Sequence, residues 1–170
     1  MLAALLGVAL AVTVAVIGLT GKSADTADPG QTPSPGPLAL PDVGAPQSES
    51  TECASLLDAL PDTLRSGDDE LRRRELMSPA PKGAAGWGDE NPVVLRCGLD
   101  RPAELKKTSP LRVVNKVQWL PIEGQGSTTW YAVDREVYIA LTVPDDAGTG
   151  PLQRLSDTIA SALEPTPPRP

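Results

Sequence analysis

Chemistry that needs a histidine is closed to this chain, because its 170 residues contain none. That excludes Ser-His-Asp and Cys-His nucleophile arrangements and a His-ligated zinc site. Ser78 and Lys82 stand four apart, so the Ser-x-x-Lys spacing is absent. Gly124-Gln125-Gly126 lacks the third glycine and the following helix of a dinucleotide loop, and reads as a turn. Asp145-Asp146 lies in a Pro-Asp-Asp-Ala-Gly run, where turn chemistry competes with a cation site and is the better reading. Two carboxyls set across a cleft would be needed for glycoside hydrolysis, and a domain of this length leaves little room for one. No cofactor and no metal is implied.

Binding chemistry is better supplied. Arg96, Lys116, Gln118, Tyr138 and Thr142 fall at alternate positions of strand-like runs and are expected on one polar sheet face. Arg96 has the planar fork that grips a carboxylate or phosphate, and Tyr138 offers a ring for stacking. The plain alternative is an ordinary wet sheet face. Trp87 sits in a Gly-rich loop, where a tryptophan either plugs a core edge or contacts a ligand. Of Trp130 and Tyr131, adjacent in a strand, one points in and one out.

These residues need a scaffold. Val93, Leu95, Cys97 and Leu99 alternate with Val94, Arg96 and Gly98. Val113, Val117 and Trp119 alternate with Val114, Lys116 and Gln118, Asn115 breaking the first face. Val137, Ile139, Leu141 and Val143 alternate with Tyr138, Ala140 and Thr142. Such period-2 runs predict an antiparallel sheet covered on one side, with turns at Gly124–Gly126 and Asp134-Arg135. Leu71 to Met77 reads as an edge strand or a short helix. Cys53, Leu56, Leu57, Leu60 and Leu64 mark one face of a helix that Ser50 or Thr51 caps and Pro61 ends or bends. Leu152, Leu155, Ile159 and Leu163 mark a second, opened by Gly150-Pro151. The fold class is therefore α+β, a small antiparallel sheet with two helices on one face. Cys53 and Cys97 both face that core, so a disulfide between them would pin helix to sheet; two separate buried thiols are the alternative.

Leu2 to Thr20 carries no charge and is apolar all round. Roughly 20 such residues at a 1.5 Å rise span a bilayer, so residues 1–21 are expected to be a transmembrane anchor or signal segment. Lys22 before Ala24 and Asp25 before Ala27 spoil a small-x-small cleavage site, which favours a retained anchor, and Ser50-Thr51-Glu52 before Cys53 is no lipobox. Met1 opens straight into the run without the usual basic stretch; one reading is that the true start lies upstream. Residues 22–50, with PGQTPSPGP at the centre, are expected to be a disordered tether with a reach on the order of 80–90 Å. Residues 51–163 form the domain, and 164–170 a disordered tail.

The net charge of −7 argues against nucleic acid as a partner and against docking on anionic lipid. Arg72-Arg73-Arg74 follows Asp68-Asp69-Glu70, so those charges are expected to compensate locally. With only Trp87, Trp119, Trp130, Tyr131 and Tyr138 as aromatics, the core must be aliphatic.

The run Gly86-Trp87-Gly88-Asp89-Glu90-Asn91-Pro92-Val93-Val94-Leu95-Arg96-Cys97-Gly98 resembles the signature of an actinobacterial family catalogued as domain of unknown function 3515. Cys53 with Leu57 and Leu60-Pro61, Val117-Gln118-Trp119, and the strand from Arg135 to Pro144 resemble its other blocks, so the likeness covers roughly residues 53–163. Glu90-Asn91 lengthens the usual turn before Pro92. The resemblance implies a membrane-anchored protein with a disulfide, and supplies no reaction.

Three functions are thus expected, in order. The first is a non-enzymatic interaction or assembly module of the bacterial cell envelope, tethered to the membrane with its C-terminal domain outside the cytoplasm. The second is a small-ligand or glycan-binding domain, and the third a carboxylate-dependent hydrolase. The partners are the membrane and another envelope protein or glycan.

Overall fold

The computed structural model describes residues 36–170. The apolar segment Leu2–Thr20 and the tether through residue 35 lie outside the described residues. Among those described, no helix is long and apolar enough to cross a membrane.

Helix α1 spans Thr51–Ala59, and its Ser50 cap accepts a hydrogen bond from the Cys53 amide at 3.2 Å. Leu60 is already extended because Pro61 follows it. Leu64, expected on the helix stripe, instead lies in strand β1 (Thr63–Ser66), still buried in the same core. Strand β2 (Asp69–Arg72) pairs with β1 as a separate hairpin. The chain from Leu71 to Met77 is thus a strand and then an extended run, not a helix, with isolated bridges from Arg73 to Trp87 and Leu76 to Leu38.

The main sheet comprises β3 (Ala84–Trp87), β4 (Val93–Leu99), β5 (Arg112–Val114), β6 (Val117–Glu123), β7 (Ser127–Ala132) and β8 (Tyr138–Pro144). Its order is β3-β4-β8-β7-β6-β5, every pair antiparallel. Helix α2 (Gly150–Ala162) carries Pro at its start and lies with α1 over one face. Cys53, Leu56, Leu152, Leu155 and Ile159 from the helices meet Leu95, Cys97, Trp119, Ile139 and Leu141 from the sheet. The fold is α+β, and the Cys53–Cys97 disulfide joins α1 to β4 with 5.6 Å between Cα atoms.

Two strand expectations need correction. Val113 to Trp119 is not one strand but a hairpin, turning at Asn115-Lys116 with φ of 43° and 67°. Positive φ at both loop residues is the turn whose twist matches a two-residue hairpin. Val113 therefore lies opposite Gln118 and is 71% exposed, while Val114 packs on the core. Leu99 also leaves the core face expected for it. Cys97 pairs with Ile139 but Leu99 pairs with Tyr138, so Gly98 is an extra residue, a bulge with φ +84°. One inserted residue turns Leu99 to the opposite face.

That opposite face is not bare. Leu99, Leu120, Tyr138 and Ala140 form a second apolar cluster there, plugged by Leu105 and Leu111 from the 100–111 loop and by Ala45. Residues 38–48, expected to be tether, form a strap along the domain. Leu38 hydrogen-bonds both ways with the Glu75–Met77 segment, at 2.8 and 2.9 Å, and the Gln47 amide donates to the Gly98 carbonyl at 3.0 Å. Gly98 admits the strap because any Cβ there would strike the backbone of Gln47 and Ser48. The domain thus begins before residue 51. Residues 164–170, expected to be without structure, return to the sheet end: the Thr166 amide donates to the Asp134 carbonyl, and the Tyr138 hydroxyl to the Arg169 carbonyl, both at 2.9 Å.

Candidate functional site

A groove of about 420 Å³ opens on the sheet face away from the helices. Its floor is Arg96 on β4, Thr129 and Tyr131 on β7, and Ala140 and Thr142 on β8. Alternation puts these side chains on one face, and the β4-β8-β7 order sets the three strands side by side. One wall is the strap at Val43 and Gly44; the other is the loop from Leu99 to Glu104. A larger open cleft of about 810 Å³ shares Val43, Gly44 and Asp100 with it and continues past Asp42 to Pro79–Lys82.

Arg96 is half-buried, and its Nη2 donates to the Pro41 carbonyl at 2.8 Å. Burial holds its pKa below the usual arginine value, against the opposing pull of the Asp42 charge. The Thr129 and Thr142 hydroxyls share a hydrogen bond of 3.0 Å. Burial, with help from the Glu104 charge, raises the pKa of Tyr131, so it stays a neutral hydroxyl.

Of the residues expected on a polar face, Arg96 and Thr142 meet in this groove. Lys116 does not: it sits in the β5–β6 turn, where its carbonyl accepts from Arg135 Nη2 at 3.2 Å. Gln118 lies on β6, away from the groove lining, and its carbonyl receives the Val133 amide at 3.0 Å. Tyr138 faces the right way but is only 8% exposed, its hydroxyl tied to the tail, so no ring is free for stacking. Trp87 is fully buried and donates from Nε1 to the Pro61 carbonyl at 2.9 Å; it is a core plug and not a ligand contact. Trp130 packs on the helix-side core and Tyr131 on the other, as adjacency requires. Thr129, Tyr131 and the acidic rim of Asp42, Asp100 and Glu104 were missed. Alternation along Ser127-Thr128-Thr129-Trp130-Tyr131 could have found the first two.

The expected local pairing of the basic run is also corrected. Arg74 turns to Asp89 at 3.2 Å and to the Gly88 and Gly36 carbonyls, because it lies along the outer edge of β3 and away from Asp68–Glu70.

Asp134 and Arg135 form the expected turn between β7 and β8, yet both are buried. Arg135 Nη1 lies 2.9 Å from Asp134 Oδ1, but the contact is poorly aligned: Oδ1 and Arg135 Nε lack a hydrogen-bond partner. Burial raises the Asp134 pKa, outweighing Arg135 and the Gln118 amide, which lower it. Neither residue lines the groove, and their bonds to the Lys116 carbonyl and Thr166 amide tie two turns and the tail together. Among the described residues no group of three His, Cys, Asp or Glu side chains is placed to hold a metal ion.

This disulfide-pinned sheet can be set beside known proteins. The family described as "Protein of unknown function (DUF3515)" matches residues 5–168, nearly the whole chain. The chain belongs to the DUF3515 family. No curated protein and no solved structure matches it. The groove of this DUF3515 chain brings together an arginine fork, three hydroxyls and an acidic rim, groups with the chemistry to accept a polar or charged ligand.

Proposed function

We propose that the chain is a non-enzymatic interaction module of the cell envelope, tethered at the membrane with residues 36–170 outside the cytoplasm, and that its groove grips another envelope component. One observation carries the reading. Arg96 is a half-buried cation on the floor of a groove, with one hydrogen bond to protein among the described residues, to Pro41. A charge drawn partly out of water and left with unused donors favours an incoming acceptor. The location is supported by the apolar run Leu2–Thr20 and by the Cys53–Cys97 disulfide, since such bonds persist in oxidising compartments. Against catalysis stands the one carboxyl among the described residues whose pKa is clearly raised, Asp134, which is sealed in a turn away from the groove.

The test is co-purification from solubilised envelope membranes with the full-length chain. The envelope component retained by wild type should also be retained by Asp157→Asn, on the exposed side of α2, and fall at least tenfold with Arg96→Gln. Undiminished capture by Arg96→Gln would refute the groove as the gripping surface.

A further inference from the structure

We propose that Arg96 anchors a single carboxylate, carried on the part of the partner that enters the groove. This rests on the reading that the groove is the binding surface, and adds the chemistry it accepts.

Guanidinium has five N–H donors in a flat fork, and the described structure gives an acceptor to one nitrogen of Arg96, through the Pro41 carbonyl. The remaining edge suits a planar carboxylate with two parallel hydrogen bonds. The rim limits the charge of what can sit there. Asp42, Asp100 and Glu104 border the groove and adjoining cleft. Arg101 shares the rim, but its Nη1 is already committed to the Leu105 carbonyl at 2.8 Å. Two guanidiniums face three carboxylates, so the site by itself is slightly acidic; a monoanion that pairs with Arg96 adds less repulsion there than a phosphate of charge near −2. Beside the fork, the Thr129 and Thr142 hydroxyls and Tyr131 offer donors and acceptors for an adjacent amide or hydroxyl. Leu99 and Ala140 supply a small apolar patch. About 420 Å³ accommodates a small group, not a folded element.

A peptide end and an acidic sugar share this chemistry, so the test separates them. Full-length chain labelled with 15N, in detergent micelles, is titrated with N-acetylglycine, glucuronate, N-acetylglycinamide and inorganic phosphate while the Arg Nε–H and Thr129 and Thr142 amide signals are followed. The expected result is saturable shifts with one or both carboxylates, the peptide-like or the sugar probe identifying the source. The uncharged amide and phosphate should bind at least tenfold more weakly. Arg96→Gln should abolish the shifts with the rest of the spectrum unchanged, and Asp42→Asn should tighten binding several-fold. If the amide matches the acid, if phosphate is preferred, or if neither carboxylate moves these signals, the assignment is overturned. Loss of co-purification in Arg96→Gln alongside silent carboxylate titrations would leave the groove reading standing and remove only the carboxylate.

Discussion

Arg96 sets a half-buried charge against the water-facing groove around it, and other residues show the same contest between burial and charge. Asp134 is the sharpest case. Its pKa is higher in the folded chain than in the unfolded one, so the folded state holds its proton more tightly. Its contribution to stability is therefore fully present below the ordinary aspartate value of about 4 and is lost as pH rises through the raised value. Asp134→Asn should remove that component, flattening the fall in stability above about pH 4 when urea midpoints of the two proteins are compared across pH. Trp87 acts by volume. Truncation to alanine leaves a cavity and strands the Pro61 carbonyl, and should cost about 3–5 kcal/mol by denaturant unfolding. Arg96 and Thr142 were legible because alternation alone places them. Tyr138 was misread as an available ring because alternation gives a face and says nothing about what covers it.

Elements here are shaped at a few positions where the backbone leaves ordinary geometry. The Asn115-Lys116 turn holds Lys116 at φ 67°, a conformation that strains any residue with a Cβ. Lys116→Gly relieves that strain, less the entropy glycine loses on folding, and should stabilise the chain by about 0.5–1 kcal/mol in urea titration. Gly98 works in the opposite direction. Gly98→Ala meets both a positive φ and the strap backbone, and should cost at least about 2 kcal/mol. It should also expose the Gln47 amide, now bonded to the Gly98 carbonyl, to faster hydrogen exchange. Both helices and the strand runs 93–97 and 137–143 could be read because their apolar periods hold over those stretches. The bulge could not: one extra residue conserves the look of alternation while reversing its meaning from Gly98 onward. The hairpin at 115–116 was hidden because Asn-Lys is an unusual pair for such a turn.

Across the whole molecule, a modest core of aliphatic side chains around Trp87 and Trp119 is closed by one covalent link, and both chain ends of the described region are drawn onto the sheet. Closing a 44-residue separation is worth roughly 4 kcal/mol in the chain-entropy model, a large share of the stability of a domain this size. Paired Cys53→Ala and Cys97→Ala substitution should lower the unfolding free energy by about 2–4 kcal/mol. The fold class and the disulfide were accessible from sequence because both follow from which side chains face the core. The strap was not, since Pro-, Gly- and Ser-rich composition marks chain that cannot fold alone, and residues 38–48 are held by others' hydrogen bonds. The same strap makes one wall of the groove, so a probe carried on it reports on whatever the groove holds. A photo-crosslinking amino acid at Val43 of the full-length chain, in intact cells, should give a discrete adduct that disappears in Arg96→Gln and is missing when the same group is placed at Asp157. Equal adducts from both positions, or a Val43 adduct indifferent to Arg96, would contradict a binding function for this groove.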